Sequence, residues 1–109
     1  MSVLFTPKVR EYTKRLIRIL YDEGYFGLEE NAQKYVDDLI FDIERNLPTC
    51  LHKPAPKHFD KYGKGMKYAS FKKSRRTTWY AFFKTYKETK KTTFLIRYIG
   101  NNHVIAQYL

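Results

Sequence analysis

Positively charged side chains alternate with aromatic ones through the second half of this 109-residue chain. Residues 51–109 contain fourteen lysines and arginines but only two acidic residues, Asp60 and Glu88, which gives a net charge of +12. Residues 1–50 contain seven basic and nine acidic residues, a net charge of −2. Cations bind phosphates and aromatic rings stack on bases. The pattern therefore favours a nucleic acid, or an assembly built around one, over a basic surface that only maintains solubility.

Other common arrangements of catalytic residues are not found in the sequence. There is no Ser/His/Asp grouping, no glycine-rich phosphate loop and no pair of carboxylates in the basic half, so we do not expect a carboxylate as general base. His52 and His58 are six residues apart with no cysteine in between, which is a weak metal signal. We therefore predict no metal site and no cofactor.

The length and composition indicate one domain over residues 1–109. The single cysteine, Cys50, cannot form an internal disulfide, which fits a reducing compartment. The first apolar run ends at Pro7, too early for the core of a signal peptide, and no apolar run approaches the roughly twenty residues that span a membrane. These observations predict a cytoplasmic protein without a membrane partner.

Two amphipathic helices are predicted in the first half, after a short strand at Ser2–Phe5. Thr6 suits an N-cap and Pro7 suits the first helical position, and apolar residues then recur at helical spacing over about 7–22. A second helix is predicted over about 28–46, and Pro48 ends it.

Beyond Pro48 the pattern changes. Residues 48–65 contain three of the four prolines and no clear period, which predicts a surface connection. The period is then two, and the predicted strands lie near 66–72, 76–86 and 92–99. In the longest strand, one face is predicted to carry Trp79, Ala81 and Phe83, and the opposite face Tyr80, Phe82 and Tyr86.

This order of elements predicts an α+β, two-layer fold, β-α-α-β-β-β. A helical hairpin packs on one face of a mostly antiparallel four-stranded sheet. The other face is expected to be open, with the basic residues of the second half on it or around its rim.

The order of elements and three segments of the basic half resemble the RelE/ParE superfamily of bacterial type II toxin–antitoxin toxins. The segments are the lysine-rich strand Lys67–Lys72, the arginine-led strand Arg76–Tyr80, and the last strand with its glycine turn, Ile96–His103. The resemblance covers nearly the whole chain and implies a toxin that a cognate antitoxin neutralises. RelE-like members cleave mRNA in the ribosomal A site, whereas ParE-like members inhibit DNA gyrase without catalysis.

The RelE-like resemblance implies a metal-independent endoribonuclease and a set of site residues. Cleavage at the 2′-OH needs proton transfer and cations that stabilise the charge on the phosphorane. On this reading Arg76 clamps the scissile phosphate, His103 acts as acid or base because histidine titrates near neutrality, and Tyr108 stacks on the target base or donates a proton. The implied catalytic residues are Arg76, His103, Tyr108 and Lys67, and the implied substrate-binding residues are Lys72, Arg75, Arg97 and Tyr80.

Several of these residues also have ordinary structural interpretations. Arg97 is interpreted either as facing an open groove or as pairing with a helix carboxylate. The alternative role of His103 is to cap a turn, and that of Tyr108 is to pack near the terminus. Many RelE-like nucleases have a basic residue after the glycine turn where this chain has Asn101 and Asn102, so His103 carries much of the nuclease hypothesis. The alternatives are a ParE-like gyrase inhibitor and a non-toxic nucleic-acid-binding domain of the same fold.

Overall fold

The structure, a computed structural model, describes residues 1–109 as an α+β fold with a five-stranded mixed sheet. The elements in chain order are β1 (Ser2–Phe5), α1 (Pro7–Asp22), α2 (Glu29–Asn46), β2 (Lys53–Pro54), a 3₁₀ helix (Lys57–Tyr62), β3 (Lys67–Lys72), β4 (Thr78–Glu88), β5 (Lys91–Asn101), α3 (Asn102–Ile105) and a 3₁₀ turn (Ala106–Tyr108). No helix has an apolar stretch long enough to cross a membrane.

The two long helices lie where the sequence predicts them. The Thr6 hydroxyl accepts a hydrogen bond from the Val9 N–H at 3.3 Å, and Pro7 occupies the first turn of α1. Both features satisfy or remove backbone donors that a helix N-terminus leaves unpaired. In α2, Glu29 and Glu30 lie in the first turn, where a negative charge is favourable.

The sheet has the strand order β1-β5-β4-β3-β2. β1 pairs with β5 in parallel, and the other three pairings are antiparallel. The prediction of four strands is wrong by one, since Lys53 and Pro54 pair with β3 inside the predicted surface connection. Two residues are too few to show a period, and a proline is tolerated here because β2 is an edge strand.

The main core lies between the helices and one face of the sheet. From the helices it contains Val36, Leu39 and Ile43, all at most 1% exposed. From the sheet it contains Trp79, Ala81 and Phe83, as the alternation in β4 predicts. The indole N–H of Trp79 donates a hydrogen bond to the Tyr35 hydroxyl of α2 at 2.9 Å, which satisfies the polar atom of this buried ring.

The prediction of an open second face is wrong, because the opposite face of the sheet is partly covered. The 3₁₀ helix and the C-terminal α3 pack over it and form a second apolar cluster, which contains Phe59, Met66, Phe82 and Ile105. Phe59 is 1% exposed, although it lies in the predicted surface connection. The covering helices are only one or two turns long, and such short elements leave no periodic signal in a sequence.

A β-bulge in β5 changes which way its side chains point. Phe82 pairs with Tyr98 but Phe83 pairs with Ile96, so Arg97 is the extra residue. Ile96 and Ile99 both join the main core although they are three positions apart. Regular alternation forbids that arrangement, and the bulge permits it.

Candidate functional site

Two connections meet at one end of the sheet, where β4 begins and β5 ends. The Asn102 side chain joins them, because its amide oxygen accepts a hydrogen bond from the Thr78 N–H at 2.9 Å. Its amide nitrogen donates to the Arg76 carbonyl at 3.0 Å. A single side chain therefore fixes the backbone on both sides of Thr77.

His103 lies at the same junction, beside Thr77, the residue that follows Arg76. The His103 Nε2 atom is 3.2 Å from the Thr77 hydroxyl, and its backbone N–H donates to the Asn101 side chain at 3.0 Å. Asn101, not His103, caps the short helix α3. The exposed imidazole is therefore oriented by Thr77 without serving as a turn cap.

The surroundings of His103 are rich in unpaired positive charge. We call the group of Arg75, Arg76, Thr77, Asn102 and His103 the Arg76–His103 corner. Arg75, Arg76 and His103 are exposed, and Thr77 and Asn102 are half-buried. None of its cations has a carboxylate within ion-pair distance, since the ion pairs of the protein all involve Arg18, with Asp22 and Glu29. Uncompensated cations at an exposed corner attract phosphate groups.

Two further predicted residues border this corner. In the sheet register Lys72 pairs with Thr78, and Tyr80 pairs with Gly100, next to Asn101. Tyr80 is half-buried, and its ring meets that of Tyr68 edge to face at 5.9 Å. Lys72 therefore adds charge beside the corner, and Tyr80 forms part of the aromatic surface behind it.

Lys67 is placed elsewhere. It is five residues from Lys72, and an odd separation along a regular strand puts the two side chains on opposite faces, roughly 16 Å apart along the strand. Lys67 lines an open cavity of about 620 Å³ beside the β4–β5 hairpin, together with His52 and Lys84. The structure therefore separates Lys67 from Arg76 and His103.

Tyr108 also has a packing role in the structure. Its ring stacks on that of His58 at 3.6 Å and an interplanar angle of 4°, and it approaches Phe59 edge to face at 6.4 Å. The side chain is 40% exposed. One face of the ring is thus already occupied, which leaves the other face and the hydroxyl for a ligand.

Arg97 neither pairs with a helix carboxylate nor reaches the Arg76–His103 corner. Its Nη2 atom donates a long hydrogen bond of 3.5 Å to the Tyr86 hydroxyl. That bond is the main cause of the lowered pKa of Tyr86. The bulge directs Arg97 toward a separate cavity, which is described below.

Thr77 and Asn102 are the site residues that sequence reasoning missed. The sequence predicts a turn at Asn102, yet the hydrogen bonds of its side chain reach 24 and 26 residues back along the chain. Contacts at that separation leave no local pattern. The available signal was a polar amide at the point where a buried strand ends, which has to satisfy backbone groups nearby.

Comparisons with known proteins give no relative for this chain: no protein-family model, no curated protein and no solved structure matches it. No group of three or more His, Cys, Asp or Glu side chains is placed to hold a metal ion. The corner therefore has to be interpreted from its own geometry.

We expect Asn102→Ala to lower the free energy of unfolding by about 1–3 kcal/mol, because it leaves the Thr78 N–H and the Arg76 carbonyl without their partner. Urea denaturation measures this. Asn102→Asp is the matched variant, since it keeps the acceptor for Thr78 but loses the donor to Arg76, and its loss should be smaller. Equal stability of Asn102→Ala and wild type would show that Asn102 does not hold the corner.

Proposed function

We propose that this protein is a toxin of the RelE kind, a ribosome-dependent mRNA endonuclease that inhibits translation. The observation that carries the proposal is the placing of His103 and Arg76 at one exposed corner without acidic residues, joined through Thr77 and Asn102. The resemblance of the sequence to RelE/ParE toxins supports it. So does the element order, in which a helical pair lies on one face of the sheet.

The chemistry proposed is metal-independent attack of an RNA 2′-OH on its neighbouring phosphate. The 2′-oxygen bonds to phosphorus while the bond from phosphorus to the 5′-oxygen breaks. His103 makes one of the two proton transfers, either from the 2′-OH or to the leaving 5′-oxygen, and water makes the other. The Arg76 guanidinium clamps the phosphate and stabilises the charge that develops on it, and Lys72 and Arg75 add positive potential. The corner offers one clear acid–base group, so much of the rate has to come from the ribosome holding the RNA in line for attack.

Partners follow from the same proposal. The mRNA on the ribosome is the substrate, and a cognate antitoxin covers the basic surface with an acidic or apolar segment. The net charge of +12 in residues 51–109 supports an acidic partner.

A ParE-like gyrase inhibitor is the second candidate. It is favoured by the positions of Lys67 and Tyr108, which leave the corner with fewer catalytic groups than the RelE-like resemblance implies. A protein that acts by binding alone needs no assembled acid–base pair.

The purified protein is expected to cut mRNA on programmed ribosomes at defined positions and to cut the same RNA poorly when it is free. Primer extension maps the cuts. The parallel assay measures supercoiling by DNA gyrase with the same preparation. Inhibition of supercoiling without cleavage would show that the protein is a gyrase inhibitor and not a nuclease. If both activities are absent, a nucleic-acid-binding domain without toxicity is the remaining alternative.

A further inference from the structure

A second basic site lies at the edge of the sheet, away from the Arg76–His103 corner. β1 pairs with β5 only as far as Ile96, so the rest of β5 has no strand on that side. Helix α1 takes that place, beginning where the Thr6 N–H donates to the Ile96 carbonyl at 3.1 Å. The end of the 3₁₀ helix closes the third side and leaves a cavity of about 170 Å³.

We call this the tyrosine cavity. Its polar lining consists of three cations and three tyrosines, Lys8, Arg15, Arg97, Tyr12, Tyr62 and Tyr98. No acidic residue lines it, and none of the three cations has a carboxylate within 4.0 Å. Three positively charged residues, two from α1 and one from β5, therefore line the cavity without a compensating negative charge.

Arg97, one of the residues that line this cavity, has a hydrogen-bond donor without an acceptor. Its Nε atom is the one buried side-chain nitrogen or oxygen in the protein that has no hydrogen-bond partner. Its stem passes close to Gly63, where a Cβ atom would lie 3.0 Å from the Arg97 Cδ. A buried donor without an acceptor is unfavourable, and a small shift of the Arg97 side chain would let an anion in the cavity supply the acceptor.

The tyrosines restrict what can bind. The rings of Tyr62 and Tyr98 stack on each other at 4.1 Å with an interplanar angle of 9°, so these two faces are not free for a base. Burial and the neighbouring Tyr62 raise the pKa of Tyr98 to about 12, which keeps its hydroxyl neutral at physiological pH. The Tyr98 hydroxyl therefore brings no negative charge into the cavity.

We infer that the tyrosine cavity binds a phosphate group. Guanidinium groups bind phosphate oxygens through paired N–H donors, and Lys8 adds a point charge. A volume of about 170 Å³ corresponds to roughly five water molecules, enough for a phosphate with part of what it is attached to. The phosphate is either a monoester, as in free phosphate or a nucleotide, or a phosphodiester of an RNA chain. This site goes beyond the proposed nuclease, because it holds whether or not the corner cleaves RNA.

The test is an NMR titration of the ¹⁵N-labelled protein. One arm uses inorganic phosphate and the other a short RNA without terminal phosphates, and the signals of Arg97 Nε and the Gly63 and Tyr98 amides are followed. We expect at least one ligand to shift these signals, and Arg15→Gln and Lys8→Gln each to weaken that binding by about tenfold. Lys14→Gln removes the same charge from an exposed position of α1 outside the cavity and should have little effect.

The two arms distinguish the source of the phosphate. A response to inorganic phosphate indicates a monoester ligand, and a response to the RNA alone indicates a backbone phosphate. Arg97→Gln adds a third variant, but Arg97 lies in β5 and its loss can disturb the fold, so the two helix variants decide the result. If neither ligand shifts these signals, or if Arg15→Gln and Lys8→Gln bind as wild type does, the inference is overturned.

Discussion

Replacing His103 with alanine is expected to slow mRNA cleavage on programmed ribosomes by about 10²–10⁴-fold, the usual contribution of one acid–base group. In the proposed mechanism His103 is the proton-transferring group at the Arg76–His103 corner, and its Nε2 atom lies 3.2 Å from the Thr77 hydroxyl. Arg76→Ala should cause a loss of about 10²–10³-fold, because it removes the charge that stabilises the phosphorane. Single-turnover primer extension measures both rates.

Matched variants separate catalysis from folding. His103→Gln keeps a side chain that can hydrogen-bond to Thr77 but cannot transfer a proton, so it should be as inactive as the alanine variant. Arg10→Ala removes one positive charge from the exposed surface of α1 and should cleave normally. Lys67→Ala should have a much smaller effect than Arg76→Ala, since the structure puts Lys67 on the other face of the sheet. Near wild-type cleavage by His103→Gln would assign His103 a structural role only.

The first half of the fold could be predicted because its signals are local. The cap at Thr6, the proline at the first turn and the helical spacing of apolar residues place α1 at Pro7–Asp22. The alternation in β4 correctly places Trp79 and Phe82 on opposite faces. Each of these features depends on residues within a few positions of one another, so a single sequence is enough to reveal it.

The parts that could not be predicted depend on tertiary contacts. The bulge at Arg97 is set by how β5 pairs with β4, and it reverses the alternation within a strand that reads as regular. β2 and the 3₁₀ helix are too short to show a period. Asn102 bonds to residues more than twenty positions away. The sequence could therefore indicate which residues have side chains suited to binding or catalysis. It could not indicate that Arg97 and Lys67 lie away from the Arg76–His103 corner.

The structure also shows that the positive charges of residues 51–109 are not paired with carboxylates. The ion pairs of the protein involve only Arg18 in α1, so the charges of the basic half are not cancelled locally. Arg75 and Arg76 lie at the Arg76–His103 corner with Lys72 beside it, and Arg97 lines the tyrosine cavity together with Lys8 and Arg15 of α1. The other ten cations of residues 51–109 lie elsewhere. Two separate unpaired basic sites are consistent with a long anionic partner that contacts the protein at more than one place.

Phe59→Ala is expected to lower the free energy of unfolding by about 3–5 kcal/mol, as large-to-small changes in a closed core do. Phe59 is 1% exposed and stacks on Phe82 at 4.2 Å, within the cluster on the second face of the sheet. The loss would show that the segment predicted as a surface connection belongs to the core. Urea denaturation followed by the fluorescence of Trp79, the single tryptophan, measures it.

Phe41→Ala is the matched control, because Phe41 is 62% exposed on α2. Its ring lies 6.0 Å from the Arg45 guanidinium, an exposed contact worth about 0.5–1 kcal/mol at most. The two variants remove the same atoms, so most of the difference between their unfolding free energies reports the burial of Phe59. If Phe59→Ala costs no more than Phe41→Ala, the 3₁₀ helix does not cover the sheet in solution. The second face would then be open, as the sequence alone suggests.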